Sequence, residues 1–418
     1  MTVQTSTLSN GVRIVTDVMP QVETISLGIW LDVGARYETL PQNGISHLLE
    51  HLAFKGTRSR SAKQLAEEIE AVGGYLNAYT SREHTTYYAR LMKDDLPLAL
   101  DILSDIVLNA TYRNDELSRE KDVIIQEIGQ VRDTPDDMIF ECLQEAAFPE
   151  QPLGRSILGT AGSVRSFDSQ AIRSYMLRHY RAESTVLAAA GNLDHGQLIS
   201  LAETAFGEME MERRESFLPA NFVGGRRHEV RELEQMHLAL GFRAAAFDDP
   251  DYFVQQVLTT ILGGGMSSRL FQEVRESRGL AYSVYAFSSA HADTGLMGIY
   301  AGTAPSLVRE LLPVIAAEMK KMTVSVHEDE LSRAKSQLKA GLLMSLESTP
   351  SRVEQLGRQM LIFGRAIPIK ELIANVERIE LGDITRLAGR ILEGPLAFAA
   401  VGESGHIPSQ DDLAKMFR

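Results

Sequence analysis

The chain has 418 residues, 44% of them hydrophobic and 23% charged, with a net charge of −14. These values describe a globular protein of two or three domains. They exclude a general nucleic-acid binder, which needs a basic face, and no apolar run approaches the ~18 residues that a membrane span requires. The opening residues, MTVQTSTLSNGVRIVTDV, lack a basic stretch followed by an apolar core, so no secretory leader is expected. Cys142, the one cysteine, leaves no intrachain disulfide and suits a reducing compartment, here expected to be the cytoplasm. It sits in MIFECLQEAAF, a helical pattern in which it reads as a packing residue.

In chain order, GVRIVTDV (11–18) and TISLGIWLDVG (24–34) have the composition of strands. GISHLLEHLAFKG (44–56) follows. At about 100° of rotation per residue, a helix here gathers Ile45, Leu48, Leu49 and Leu52 on one side and places His47, Glu50 and His51 together on the other. Imidazoles at i and i+4 reach one tetrahedral metal, and the glutamate between them lies beside its open position. His-x-x-Glu-His is an inverted zinc-protease signature. The plain alternative, a surface face with scattered histidines, does not account for a glutamate at that position. SAKQLAEEIEAVGG (61–74) is a helix closed by Gly73 and Gly74, and YLNAYTSREHTTYYARL (75–91) is a strand pair. Helices follow, and the half closes with helix, strand and glycine in DSQAIRSYMLRHYRAESTVLAAAGNLD (168–194).

The second half repeats this plan: strand MHLALGFRAAA (236–246), helix DYFVQQVLTTILGGG (251–265), helix SSRLFQEVRESRG (267–279), strand LAYSVYAFSS (280–289), and a final helix, strand and glycine in GDITRLAGRILEGPLAFAAVGES (382–404). Gly263–Gly265 is not a phosphate loop, because no Gly-Lys-[Ser/Thr] follows and the glycines end a helix rather than open one. Pro219, Gly224 and Gly225 break a charged stretch between the halves. The expected organisation is a domain over 1–215, a linker over 216–230 and a homologous domain over 231–418 without the histidine pair. The fold class is α+β, each half a mostly antiparallel sheet packed with helices.

A catalytic zinc commonly takes three protein ligands. His84, His179 and His195 are candidates for the third, as are the acids of NDELSREKDVIIQEIGQV (114–131). Glu120 and Glu127 stand nearly two turns apart beside the apolar stripe Leu117, Ile124, Ile125, Ile128, and a carboxylate flanking such a stripe needs a partner cation. Spacing does not choose among Glu116, Glu120 and Glu127.

Four segments in one order, GISHLLEHLAFKGT, GGYLNAYTSREHTTYY, ELSREKDVIIQEI and GGGMSSRLFQEVRESRGLAYSVY, resemble the pitrilysin/insulinase family of zinc peptidases, in particular the catalytic subunit of mitochondrial processing peptidase and its bacterial relatives. The resemblance spans both halves and implies a function: a zinc metalloendopeptidase with one Zn2+ per chain, acting on peptides or unfolded polypeptide segments and preferring basic residues near the cut. It implies Glu127 as the third ligand beside His47 and His51, Glu120 as a supporting acid, and Glu50 as general base. It also implies Asn77 and Ala78, on an edge strand, as substrate contacts, and Arg275 with Tyr282 as donors to substrate oxygens. The family builds a chamber from four such domains, so a homodimer is expected. The acidic charge is compatible with a cationic substrate. Two other readings compete. A non-catalytic partner or assembly subunit of the same fold has no use for Glu50, and a non-proteolytic metal hydrolase is disfavoured by the strand-like YLNAYTS.

Overall fold

The structure, a computed structural model, describes residues 3–211, 216–403 and 407–418. Its strands, in chain order, are β1 (Val3–Thr7), β2 (Arg13–Val18), β3 (Thr24–Leu31), β4 (Tyr75–Thr80), β5 (Thr85–Met92), β6 (Thr185–Gly191), β7 (Gly225–Val230), β8 (Met236–Ala244), β9 (Ser283–Ala290), β10 (Gly295–Thr303) and β11 (Leu396–Gly402). They form two sheets, ordered β1-β2-β6-β3-β5-β4 and β7-β11-β8-β10-β9. β2 runs parallel to β6, and β7 runs parallel to β11. Every other neighbouring pair is antiparallel. Leaving β1 aside, the two sheets therefore share one strand order and one pattern of directions. This is the internal duplication expressed as topology, and the fold class is α+β with two homologous, mostly antiparallel sheets packed with helices.

The chain divides into two compact units that are not contiguous in sequence: residues 1–129, 156–218 and 343–367 form the first, and 130–155, 219–342 and 368–418 the second. In the first unit, α1 (Ile45–Ala53), α2 (Ala62–Ala71), α3 (Leu96–Leu108) and α4 (Asn114–Asp133) contribute to a core built on one face of the sheet. Strand alternation explains which side chains enter it: Ile25, Leu27, Ile29 and Leu31 of β3 point into this core, whereas Trp30 points to the other face. Chain from the far end of the sequence covers that second face. The helix over Thr349–Phe363 lays Val353, Leu356 and Met360 against Trp30, Val186, Ala188 and Ala190. Gly357 makes this approach possible, because a Cβ there would lie 2.4 Å from the Trp30 ring. With both faces covered, β6 reads as an unbroken small apolar run, TVLAAAG, buried throughout.

In the second unit, α5 (Pro135–Ala147) of the sequence's first half plays the corresponding part. Its Ile139, Cys142, Leu143 and Ala146 pack with Ala239, Leu296, Ala397 and Ala399 of the second sheet. Both exchanged helices carry proline in the first turn after a threonine or serine, at Thr134-Pro135 and Ser348-Thr349-Pro350, where a missing N–H is harmless. Each half thus gives one helix to the other's sheet, and for that reason the units interleave along the chain. Residues 225–230, within the stretch expected as linker, form β7, because Gly224 and Gly225 let the backbone turn into register with β11. The expected boundary at 215 falls in residues 212–215, outside the described residues. Cys142 is buried in this packing, as expected.

Candidate metal centre

The helix α1 begins at Gly44, whose φ of 95° suits glycine and whose Cβ, were it present, would lie 2.7 Å from the Leu158 carbonyl oxygen. Its free N–H groups are met from an earlier turn. The buried Glu38 carboxylate accepts from the backbone N–H of Gly44 (2.8 Å) and Ser46 (2.9 Å) and from Asn43 Nδ2 (3.1 Å). Burial pushes the Glu38 carboxyl up to about 7 against these hydrogen bonds. Ile45, Leu48, Leu49 and Leu52 anchor the helix in the core as its periodicity predicts. The histidine side is less open than the sequence suggests: His47 is only 7% exposed.

Above this helix stands α4, which brings Glu127 to the two rings. Its Oε2 lies 3.7 Å from His47 Nε2 and 3.7 Å from His51 Nε2. One ligand atom from each of the three residues falls within 4.8 Å of the others, the one such group of three among the described residues. Those distances are too long for hydrogen bonds, yet two atoms bound at ~2.0–2.1 Å to one tetrahedral zinc lie about 3.3 Å apart. Glu127 Oε2 is also buried without a hydrogen-bond partner among the described residues. An unpartnered carboxylate oxygen facing two ring nitrogens is what a shared cation resolves. Burial, and then the neighbouring His51, push the pKa of His47 down to about 3, so its ring is neutral and able to ligate. The residues present fit zinc.

Glu120 is nearly two turns before Glu127 on the same helix and takes a different place. It is buried and accepts from His51 Nδ1 through Oε2 (3.1 Å), while Oε1 pairs with Lys55 Nζ (2.8 Å). This fixes the His51 tautomer that leaves Nε2 free to face Glu127. Glu116, the third acid left open by spacing, points elsewhere and pairs with Arg119. His84 bonds Ser81 and Tyr79, and His195 bonds Ser6 and Thr16, so neither joins the group. His179 packs on the ring of Tyr175.

Glu50 stands apart from the three ligand atoms and accepts a 2.5 Å hydrogen bond from Thr80 Oγ1. Burial raises its pKa above the ordinary carboxylate value, and the Thr80 hydrogen bond opposes that rise. Thr80 ends β4, the last strand in its sheet. Alternation along β4 turns Ala78 and Thr80 towards the α1 side, whereas Asn77 is exposed and bonds Tyr75 Oη through Nδ2 (2.7 Å). Asn77 Oδ1 also accepts from the Ala78 backbone N–H (2.8 Å), so the strand's own side chain occupies that donor.

Arg275 and Tyr282 lie together in the second unit. The guanidinium stacks 4.4 Å from the Tyr282 ring centre and 4.8 Å from that of Phe271, and Tyr282 is 74% exposed. Glu38, Lys55 and Thr80 were not singled out from the sequence. Glu38 lies six residues before Gly44, and no motif in the sequence marks it as the acceptor for the first turn of α1. A lysine or threonine beside an acidic residue carries no periodic signal.

Comparison with known proteins agrees with this geometry. Residues 13–161 match the insulinase family (peptidase family M16), and residues 166–338 match the peptidase M16 inactive domain. A Rickettsia felis protein named as an uncharacterized zinc protease is 40% identical over 95% of this chain and 97% of its own length. The Bacillus subtilis protein YmxG, also named as an uncharacterized zinc protease, is 37% identical over 96% of this chain and 99% of its own length. The chain belongs to the insulinase, or M16, family of zinc peptidases. Two solved structures share its fold: a chain of the Candida albicans complex III dimer, with a TM-score of 0.89 at 23% identity and full coverage of both chains, and a Helicobacter pylori protease, with 0.88 at 20% identity over 96% and 99%.

Proposed function

We propose that the chain is a zinc-dependent endopeptidase of the inverted His-x-x-Glu-His type that cleaves peptides or unfolded segments near basic residues. The convergence of His47, His51 and Glu127, with Glu50 beside them but outside the ligand set, carries this reading. His47, His51 and Glu127 would hold one Zn2+ per chain. When bound there, zinc polarises the scissile carbonyl and lowers the pKa of the attacking water to roughly 7. Glu50 takes the proton from the attacking water and returns it to the leaving amine. Its raised pKa favours the first half of that task, the uptake of the proton. Glu120, held by Lys55, orients His51. The peptide lies along the outer edge of β4 by strand addition, a mode that reads backbone and accepts many sequences. Asn77 and Ala78 contact it there, so the Asn77 side chain must release the Ala78 N–H as the peptide arrives. Arg275 and Tyr282 donate to substrate oxygens. Acidic composition supports the preference for basic residues.

The same reading makes the chain a homodimer of two two-domain subunits, testable by light scattering on the eluting species. It places the chain in the cytoplasm, supported by its single, buried cysteine. Among the described residues no helix is long and apolar enough to cross a membrane. A non-catalytic partner subunit would have no use for a half-buried glutamate held by a threonine beside three potential ligands. The deciding experiment compares wild type with Glu50→Gln on an unstructured arginine-containing peptide. Wild type cleaves, the variant does not, and both retain zinc. Near wild-type cleavage by Glu50→Gln overturns the assignment of the base, and cleavage by metal-free protein overturns the zinc mechanism.

A further inference from the structure

We propose that Thr80 is a positioning residue for Glu50, through which the substrate-binding strand sets the geometry of the general base; this rests on the peptidase reading above. Glu50 has two carboxylate oxygens, and the 2.5 Å bond from Thr80 Oγ1 engages Oε2. That leaves Oε1 to accept a proton, and it restricts rotation about the final bond of a glutamate side chain, a torsion with little preference of its own.

A hydroxyl positions another group only if its own backbone is held, and β4 is held on both sides of Thr80. On one side, Tyr79 projects to the opposite face of the sheet, where its hydroxyl donates to both oxygens of Glu354, at 2.8 and 2.9 Å, and lies 3.2 Å from His84 Nε2. On the other, Ser81 closes the hairpin. Its N–H donates to the His84 carbonyl (2.8 Å), and its hydroxyl accepts from the N–H of Glu83 and His84. The hairpin tip is docked in turn: Ala35 and Arg36 donate backbone N–H groups to the carbonyls of Ser81 (3.2 Å) and Arg82 (2.8 Å). Gly34 permits that approach, since a Cβ there would lie 2.4 Å from the Ser81 oxygen. The buried Arg36 donates through Nη1 to Glu83 Oε1 at 2.6 Å and secures the contact. Three rigid attachments therefore converge on one residue whose side chain touches the base. Because Thr80 terminates the strand to which the peptide adds, the same held strand presents the peptide and fixes the base beside it.

The test uses full-length, zinc-loaded protein and the arginine-containing peptide. Thr80→Val keeps shape and removes the donor. Its kcat is expected to fall about tenfold, a part of the ~10²–10⁴-fold attributable to a general base, with KM, zinc content and melting temperature unchanged. Thr80→Ser restores the hydroxyl and is expected to return kcat to within about twofold of wild type. Thr80→Ala carries the same expectation as Thr80→Val should the valine variant fail to fold. The proposal is overturned if Thr80→Val keeps wild-type kcat, if KM rather than kcat changes, or if Thr80→Ser is as slow as Thr80→Val. Glu50→Gln in the same assay separates the two readings. An active Glu50→Gln removes the peptidase mechanism itself, whereas an inactive Glu50→Gln beside a fully active Thr80→Val removes only the role of Thr80.

Discussion

Glu120 and Glu127 share a helix and nearly a face, yet their environments are opposite. Glu120 is buried with both oxygens engaged, one by His51 Nδ1 and one by Lys55. Glu127 has an oxygen that has no hydrogen-bond partner among the described residues and lies at the same distance from two imidazoles. A satisfied carboxylate suits the orienting of a ligand, and an unsatisfied one facing two ring nitrogens suits a metal, which is the division of roles proposed above. Replacing Glu120 by alanine leaves the His51 tautomer unspecified. Zinc affinity in that variant should fall by ~10–100-fold in competition with a chelator, as for other partners of metal-bound histidines. Unchanged affinity would show that the His51 contact does not tune the site.

At the scale of elements, the helix over 349–363 is what closes the second face of the first sheet. It is held there by more than apolar contact. Arg352 Nε reaches the buried Asp17 of β2 at 2.5 Å, and both side chains are almost fully enclosed. Removing one partner of such a pair strands the other charge in the interior. Arg352→Met should therefore cost ~3–5 kcal/mol in urea unfolding, even though methionine fills much of the same volume. In the second unit Asp251, at the start of the helix over Tyr252–Gly263, is held by Arg386 and Arg390 of the helix over Leu381–Glu393. The Arg386 hydrogen bond keeps its carboxyl below the usual aspartate value. A depressed folded pKa gives stability that is present above the unfolded value, ~3.8, and lost as pH falls through the folded one. The stability gap between wild type and Arg386→Met should thus be full near neutral pH and shrink below pH ~3.8; a gap independent of pH would remove the pair from the account.

For the whole molecule, the exchange of helices means that neither half of the sequence contains a complete unit. Residues 1–215 lack the helix that covers Trp30, Val186, Ala188 and Ala190, and residues 216–418 lack the helix carrying Ile139, Cys142 and Leu143. Each half made alone would expose a sheet face that is apolar in the intact chain, and such faces drive aggregation. Separate expression of 1–215 is expected to give insoluble or unfolded protein, and co-expression with 216–418 to recover soluble material that binds zinc. A soluble, cooperatively unfolding 1–215 fragment would show that the borrowed helix is dispensable.

The sequence by itself determined whatever depends on neighbours along the chain. The 3.6-residue periodicity placed His47, Glu50 and His51 on one helix face, and composition marked 11–18 and 24–34 as strands. The repeated order of strands and helices discloses the duplication. Local periodicity says which face a residue occupies but not what that face meets. Three carboxylates on one helix were equal by spacing; the family resemblance pointed to Glu127, and the packing of α4 over α1 gives the physical difference, bringing Glu127 to both rings while Glu120 pairs with His51 and Lys55. The Glu38 cap, the Thr80 bond to Glu50 across 30 residues, and the exchange of two helices between the halves were likewise decided by tertiary structure. In each case the partners meet because burying apolar surface elsewhere brings their elements together, and the sequence around a single residue carries no record of that.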